Sequence, residues 1–264
     1  LPKDVTAPEI IYTMGEGANN NLPAGSKPTN AGDYTASITL KGVNGEKATA
    51  SVSYTIEKAE PKNNMGIFTF TAPKNLTYDG TAKEATVTST EIDKSYIDVS
   101  YWKGDVKTDP INAGEYTVQI KVAKSQNYKA SDDDLTDEEW KFTILKATPV
   151  ITVLNTSPVI LNNGSEVDIS EWASFDGNAD SGAKLTYALG ADAPNDITLT
   201  GNKLKATSVV PAGSTFTIKV TADATENFEA PAAETITVKV VNKYDAGVSI
   251  IGEPTSVIYG NTFK

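Results

Sequence analysis

The sequence lacks cysteine and histidine altogether, although it is 264 residues long. Without these two residue types the chain has no thiol nucleophile, no thiolate metal ligand, no imidazole base and no histidine ligand for zinc. Most hydrolase mechanisms therefore lose a central group, and we expect neither enzyme activity nor a cofactor. The absence of cysteine also excludes the disulfide framework of many small secreted domains and suits an exported bacterial protein.

Basic charge and long apolar runs are scarce as well. The chain has 23 Lys and Arg against 34 Asp and Glu, which gives a formal net charge of -11. Such a chain repels nucleic acid and an anionic bilayer, so we expect neither as a partner. No run approaches the roughly 20 apolar residues that a membrane span needs, so we expect no direct membrane insertion. The start does not resemble a signal peptide, which suggests a mature chain or a fragment of a longer one.

The clearest pattern in the sequence is a repeated phrase that combines a glycine turn with an alternating strand. It occurs at residues 30–40 and 112–122, both beginning Asn-Ala-Gly, and more loosely at 212–220. In the second copy apolar residues occupy every other position from Tyr116 to Val122, which is the two-residue period of a half-buried strand. Glycine suits the turn because it accepts a positive φ angle without steric cost.

The distribution of Thr, Val, Ile, Tyr and Phe in short alternating runs predicts an all-β fold. We expect tandem small β-sandwich modules of immunoglobulin-like type, arranged in an elongated array. Two further local features are predicted. Asp79-Gly80 indicates a tight turn, and the spacing of Thr136 and Glu139 predicts a single helical turn ending near Trp140.

The repeats divide the chain into four segments. These are residues 1–61, a β-module without its opening strand; 62–148, a complete module; 149–243, an immunoglobulin-like sandwich; and 244–264, the opening strand of a further module. The first two segments end in Lys58-Ala59-Glu60-Pro61 and Lys146-Ala147-Thr148-Pro149. Proline cannot donate to a strand ladder and stiffens the chain, so both endings are interpreted as hinges.

Short motifs in the second segment carry a family resemblance. They are Tyr78-Asp79-Gly80, the turn at 112–117, Asn127-Tyr128 and the closing run 142–147. Together they resemble the YDG and MBG repeat families of bacterial surface and adhesin-like proteins. Residues 30–61 share the resemblance, 258–263 are similar to the opening of an MBG repeat, and 149–243 resemble a bacterial immunoglobulin-like or cadherin-like domain. The resemblance implies exported, tandemly repeated β-modules without catalytic residues.

Aromatic residues form one candidate binding site. Trp102, Tyr101 and Tyr96, together with Trp140 and Trp172, could provide a flat platform on which a sugar ring stacks. Large aromatic side chains in β-sandwiches are far more often part of the core, so a packing function is the favoured interpretation. The same reasoning assigns Trp140, Trp172 and the tyrosines of the repeated phrase to the core.

Acidic residues form a second candidate site. The run Asp132, Asp133, Asp134, Asp137, Glu138 and Glu139 offers hard oxygen ligands for calcium, as do 176–180 and 192–196. The run lacks the glycine-punctuated spacing of a calcium loop, so a solvated loop is favoured and no metal site is predicted. A Lys to Asn isopeptide cross-link is a further alternative, which an intact mass lower by one ammonia would reveal.

The sequence favours a non-enzymatic stalk or spacer of a bacterial cell-surface or secreted multi-repeat protein. Two alternatives remain: an adhesin module that binds a carbohydrate or host ligand, and an accessory region of an extracellular glycan-acting enzyme. The expected partners are neighbouring modules of the same polypeptide. Residues 248–263 are also expected to pair head to tail with the first module of a neighbouring molecule, because an opening strand without its module leaves an unpaired edge.

Overall fold

The fold was established from a computed structural model of the chain. The structure describes residues 8–15, 21–42, 45–63, 65–155, 158–176, 184–207 and 209–241. Its contacts divide the chain into two compact units. The first comprises 1–76 and 80–144, and the second comprises 77–79 and 145–264. The predicted all-β class is confirmed, since the described residues form several small sheets and one short 3₁₀ helix.

The first unit begins with a three-stranded antiparallel meander. Its strands are β1 (Ile10–Met14), β2 (Gly32–Lys41) and β3 (Lys47–Ile56), in the order β1-β2-β3. The registers place Ile10 opposite Ile38, and Ile38 opposite Ala50. Because side chains alternate along a strand, all apolar positions of β2 and β3 fall on one face and their Ser and Thr residues on the other.

The remainder of the first unit contains a hairpin-like strand pair and a four-stranded sheet. The elements are β4 (Phe68–Thr71), β5 (Thr86–Ser89), a 3₁₀ helix (Lys94–Tyr96), β6 (Ile97–Lys103), β7 (Val106–Lys107), β8 (Gly114–Val122) and β9 (Lys141–Ile144). The sheet has the order β7-β6-β8-β9, with β8 in the middle. The inward side chains of β8 are 0–1% exposed, so the repeated phrase supplies the core.

The second unit is built from nine described strands. They are β10 (Ile151–Val153), β11 (Val159–Asn162), β12 (Glu166–Asp168), β13 (Ala173–Phe175), β14 (Leu185–Leu189), β15 (Ile197–Thr200), β16 (Lys203–Ala206), β17 (Thr215–Ala222) and β18 (Glu234–Val241). A sheet in the order β11-β18-β17-β14 contains the central pair, with β11 parallel to β18. The smaller sheets are β12-β16-β15 and β10-β13.

The core of the second unit lies between these sheets. Phe216, Ile218 and Val220 of β17 are at most 1% exposed, and they join Leu204 of β16 in one buried cluster. Trp172 belongs to the same cluster, as the sequence predicts. Burial of such apolar side chains is the main stabilising contribution to a sandwich of this kind.

The predicted glycine turns are confirmed, whereas the predicted helical turn is wrong. Gly32, Gly114 and Gly213 all have positive φ angles. At residues 137–140 the structure has a tight turn instead of a helix, closed by a hydrogen bond from Trp140 N to Asp137 O. Thr136 does not cap a helix here, because its hydroxyl donates to Val118 O at 3.0 Å.

Candidate functional site

Two similar arrangements hold the Lys-Ala segments that the sequence predicts to be hinges. We call them clamps. The first clamp consists of Lys58, Ala59 and residues 125–129 in the first unit, and the second consists of Lys146, Ala147 and residues 225–229 in the second unit. Each clamp therefore lies within a single compact unit.

The loop in each clamp is closed in the same way. In the first clamp Ser125 N donates to Tyr128 O at 3.0 Å, and Tyr128 N donates to Ser125 Oγ at 3.3 Å. In the second clamp Thr225 N donates to Phe228 O at 2.9 Å, and Phe228 N donates to Thr225 Oγ1 at 3.2 Å. The hydroxyl of Ser or Thr mimics a backbone acceptor, which explains why this residue type begins both loops.

The alanine of each segment forms a parallel bridge with the loop. Ala59 N donates to Asn127 O at 2.9 Å, and Ala59 O accepts from Lys129 N at 2.8 Å. Ala147 likewise donates to Asn227 O and accepts from Glu229 N, both at 2.9 Å. Both backbone groups of each alanine are thus satisfied by the loop, as the groups of a strand residue would be.

The lysine before each alanine provides a third attachment. The Lys58 ammonium donates to the carbonyl of Ser125, and the Lys146 ammonium donates to Thr225 O at 2.6 Å. Both lysines are half-buried, and Pro61 and Pro149, two residues beyond each alanine, are buried. Hydrogen bonds from a charged donor are stronger than neutral ones, so the lysine fixes the end of the segment on the loop.

The first clamp is extended by the Asn-Ala-Gly turn of the repeated phrase. Ala31 N donates to Asn127 Oδ1 at 2.9 Å, and Gln126 Nε2 donates to Ala31 O at 3.0 Å. The Asn127 amide also donates to Asn30 Oδ1 at 3.1 Å. An ion pair between Lys129 and Glu60 at 2.9 Å lies beside these bonds. It is exposed, so we assign it little stabilisation.

The asparagine of the Asn-Ala-Gly turn also orients the tyrosine that follows it. The Tyr34 hydroxyl donates to Asn30 O at 2.9 Å, and the Tyr116 hydroxyl donates to Asn112 O at 3.0 Å. A tyrosine that bonds back to the backbone a few residues upstream is the tyrosine corner of sandwich domains. This bond explains why the phrase contains tyrosine and not phenylalanine in its first two copies.

The aromatic residue of each loop is anchored in a different way. The Tyr128 hydroxyl donates to the Glu91 carboxylate, and this bond, helped by burial, raises the pKa of Tyr128 to about 12. Phe228 has no hydroxyl and packs edge-on against Tyr78, with ring centroids 5.4 Å apart. Both side chains are buried, so the loops are fixed to the body of their units.

Three residues of the predicted sugar platform are separated by the strand geometry. Tyr101 and Trp102 are consecutive in β6 and therefore point to opposite faces of the sheet. The Tyr101 hydroxyl donates to Ala85 O at 3.2 Å, and burial is the main cause that raises the pKa of Tyr101. Tyr96 is 39% exposed and lies in the 3₁₀ helix before the strand. The glycan site stays a prediction.

The acidic run is spread along a loop. Asp134 lies 3.9 Å from Lys121, and Asp137 accepts the amide hydrogen of Glu139 at 3.0 Å. Within the described ranges, no group of three or more acidic residues is arranged to hold a metal ion. Residues 177–180 of the second acidic stretch lie outside these ranges.

None of the helices that the structure describes has the length and apolar character needed to cross a bilayer.

One protein-family model matches the part of the chain that contains the loop of the first clamp. Residues 72–136 match the family model of the MBG domain. The match includes the repeated phrase at 112–122 and the loop at 125–129, so it confirms the resemblance stated for the second segment. The MBG match ends before the Lys146-Ala147 segment of the second clamp.

Several solved structures resemble the chain distantly. Sidekick-1 immunoglobulin domains 1–4 share 12% identity, with a TM-score of 0.30, and the match covers 89% of this chain and 68% of that one. Drosophila N-cadherin EC1–4 shares 11% identity, with a TM-score of 0.25 and coverages of 91% and 69%. Protocadherin gammaB7 EC3–6 shares 13%, with a TM-score of 0.29 and coverages of 88% and 67%. No curated protein sequence matches the chain significantly.

Proposed function

We propose that the chain is a non-enzymatic stalk or spacer segment of a bacterial cell-surface or secreted multi-repeat protein. The observation that carries this proposal is the pair of clamps. The same three attachments, two to alanine and one to lysine, occur at 58–59 and again at 146–147. A segment held at three points resists bending better than a free tether, which is what a spacer requires.

The type of the detected domains supports the same proposal. Residues 72–136 match the MBG domain, and MBG domains are typical of bacterial surface proteins. An array of tandem modules keeps its two ends apart without any catalytic activity, because each module contributes a fixed length.

The spacer proposal is tested on a cell surface. The chain would be inserted between a membrane anchor and a small binding domain, and a Gly/Ser linker of 264 residues would serve as the control. We expect the chain to make the binding domain more accessible to a bulky, bead-bound ligand than the linker does. Equal accessibility would contradict the spacer proposal.

The adhesin alternative predicts a different result. If the chain itself binds sugars, a glycan array will show binding that Trp102→Ala or Tyr96→Ala abolishes while circular dichroism remains unchanged. Tyr96 is the more accessible probe because it is 39% exposed, whereas Trp102 is half-buried and its Nε1 is buried without a hydrogen-bond partner among the described residues.

A further inference from the structure

The meander of the first unit exposes an apolar sheet face. We define the open face as the inward-type positions of β1, β2 and β3, which meet in cross-strand rows: Ile10, Ile38 and Ala50; Tyr12, Ala36 and Val52; Met14, Tyr34 and Tyr54. Val52 is 62% exposed, Ile10 49% and Met14 43%. A shallow groove runs across the face between Ile10 and Val52. Contiguous exposed apolar surfaces of this kind mark interaction sites.

The corresponding face of the next sheet in the same unit is covered. Tyr116, Val118, Ile120 and Val122 occupy in β8 the positions that Tyr34, Ala36, Ile38 and Leu40 occupy in β2, 82 residues earlier (116 minus 34). The β8 residues are at most 1% exposed. In β2 only Tyr34 is buried, at 4%, whereas Ala36 and Ile38 are half-buried and Leu40 is 44% exposed. The difference follows from the β4-β5 layer.

Contacts of the β4-β5 layer show how the cover is attached. Phe68 of β4 packs edge-on against Trp140, with ring centroids 6.1 Å apart. Val87 of β5 is 1% exposed, and Ala85 O accepts the hydrogen bond from Tyr101 on the inner face of β6. A short two-strand layer is thus enough to bury such a face.

The sequence contains a second segment with the pattern of the β4 region. Residues 247–262 align without a gap to residues 66–81, at a constant offset of 181 (254 minus 73). Four positions are identical, namely Gly66 and Gly247, Pro73 and Pro254, Tyr78 and Tyr259, and Thr81 and Thr262. Ile251 falls at the position of Phe70, which is an inward residue of β4.

We propose that the open face binds residues 247–262 of a second copy of this chain, which supply the layer that β4 supplies in the next sheet. Five residues lie between Val241, the end of β18, and Gly247, and the six Cα–Cα steps span at most about 22 Å. The donor face and the acceptor face are different surfaces, so the contact is heterologous and propagates head to tail.

Four forms of the full chain, the wild type and three variants, test this proposal by sedimentation velocity over a 100-fold concentration range. Val52→Glu places a charge on the open face, and Ile251→Asp places one on the donor segment. We expect the wild-type mass to rise above 28.0 kDa with concentration. Both variants should remain monomeric. Thr49→Glu, on the opposite face of β3 and outside the groove, is the matched control and should associate like the wild type.

Mixing the two variants provides the decisive step. Val52→Glu keeps an intact donor segment and Ile251→Asp keeps an intact open face, so an equimolar mixture should form a dimer and nothing longer. Association of Ile251→Asp alone would mean that open faces pair with each other, and it would overturn the proposal. A wild-type chain that is monomeric at every concentration would also overturn it, including the case in which its own segment covers the face.

A peptide keeps the test valid if Val52→Glu proves unfolded by circular dichroism. A synthetic peptide of residues 247–262, added in excess to the wild type, should cap the open faces and return the mass to that of the monomer. The same peptide with Ile251→Asp should have no effect. Failure of the unmodified peptide to reduce the mass would contradict the proposal.

Discussion

At the scale of single residues, burial distinguishes the positions that determine stability. Ile120 is completely buried in the middle strand of its sheet, whereas Val106 at the sheet edge is 64% exposed. Sequence alternation identifies the first kind of position well, because every second residue of β8 is apolar. It does not reveal hydrogen-bond partners such as Asn30 O for Tyr34, since these depend on the closed turn.

Truncation of Ile120 should show how much the buried core contributes to the free energy of unfolding. Ile120→Ala removes three carbons from a filled interior, and we expect the free energy of unfolding to fall by about 2–5 kcal/mol. Urea denaturation followed by fluorescence measures this difference. The control Val106→Ala should change it by less than about 0.5 kcal/mol. Equal effects of the two substitutions would contradict the assignment of the core.

Asp168 should make the stability of the folded protein depend on pH in the acidic range. Its carboxylate accepts Ser170 N at 2.9 Å, and Lys203 Nζ donates to it at 2.9 Å. Chiefly the bonds from Ser170, and then Lys203, lower the pKa of Asp168 to about 2. A lowered folded-state pKa contributes stability above the unfolded value near 4, and this contribution disappears as the pH falls through 2.

The measurement is the thermal unfolding midpoint of Asp168→Asn between pH 7 and pH 2. We expect the variant to be less stable than the wild type at pH 7 and the difference to shrink as the pH falls below 4. The exposed carboxylate of Glu166 in the same strand provides the control Glu166→Gln. A deficit of Asp168→Asn that is constant with pH would contradict this assignment.

At the scale of elements, the alternating pattern predicted most of the strands. Residues 185–189, 216–220 and 236–241 carry this alternation; the first range coincides with β14, and the other two lie within β17 and β18. The alternating pattern does not predict strand β16, because Lys and Ala, which have low β propensity, make up most of it. Its hairpin with β15 turns at Gly201-Asn202, a two-residue signal that the sequence does contain.

The clamps could not be predicted, because they join segments that are far apart in the sequence. The partner of Ala59 is 69 residues away (128 minus 59), whereas that of Ala147 is 81 residues away (228 minus 147). Proline next to each segment suggests a hinge when only local chemistry is considered. The structure shows a bridged segment because the nearby alanine keeps its amide hydrogen free to donate.

Replacement of Ala59 by proline should open the first clamp. Ala59→Pro removes the hydrogen that bonds to Asn127 O and restricts Lys58, so we expect a loss of about 1–3 kcal/mol in stability. Hydrogen exchange should become faster at Lys129, whose amide donates to Ala59 O. The control Ala59→Ser retains the amide and should behave like the wild type. Unchanged protection at Lys129 in the proline variant would mean that the clamp is not formed.

At the scale of the whole molecule, the chain consists of two compact units with separate cores. Composition and repeats established the all-β class and the tandem organisation, since both depend on patterns that recur along the chain. The division into residues 1–61, 62–148, 149–243 and 244–264 stays a prediction. The sequence does not predict that residues 77–79 belong to the second unit. Their assignment results from contacts that Tyr78 makes with Leu145 and Phe228, which are distant in the sequence.

Separate cores should give separate responses to mutation. Ile218→Ala removes a fully buried side chain from β17, and we expect faster hydrogen exchange throughout β17 and β18. Exchange in β8 should stay at the wild-type rate. Ile120→Ala is the reciprocal control and should affect β8 and leave β17 unchanged. If either substitution accelerates exchange in both strands, the two units unfold together.

The half-buried lysines of the clamps also affect the resistance of the chain to proteolysis. Lys58 and Lys146 precede alanine in short connecting segments, where an enzyme that cuts after basic residues would be expected to act. Cleavage requires a segment to leave its surroundings and enter the protease as an extended strand. Here the ammonium group and both backbone groups of the next residue are already bonded. The connections that look easiest to sever are therefore shielded.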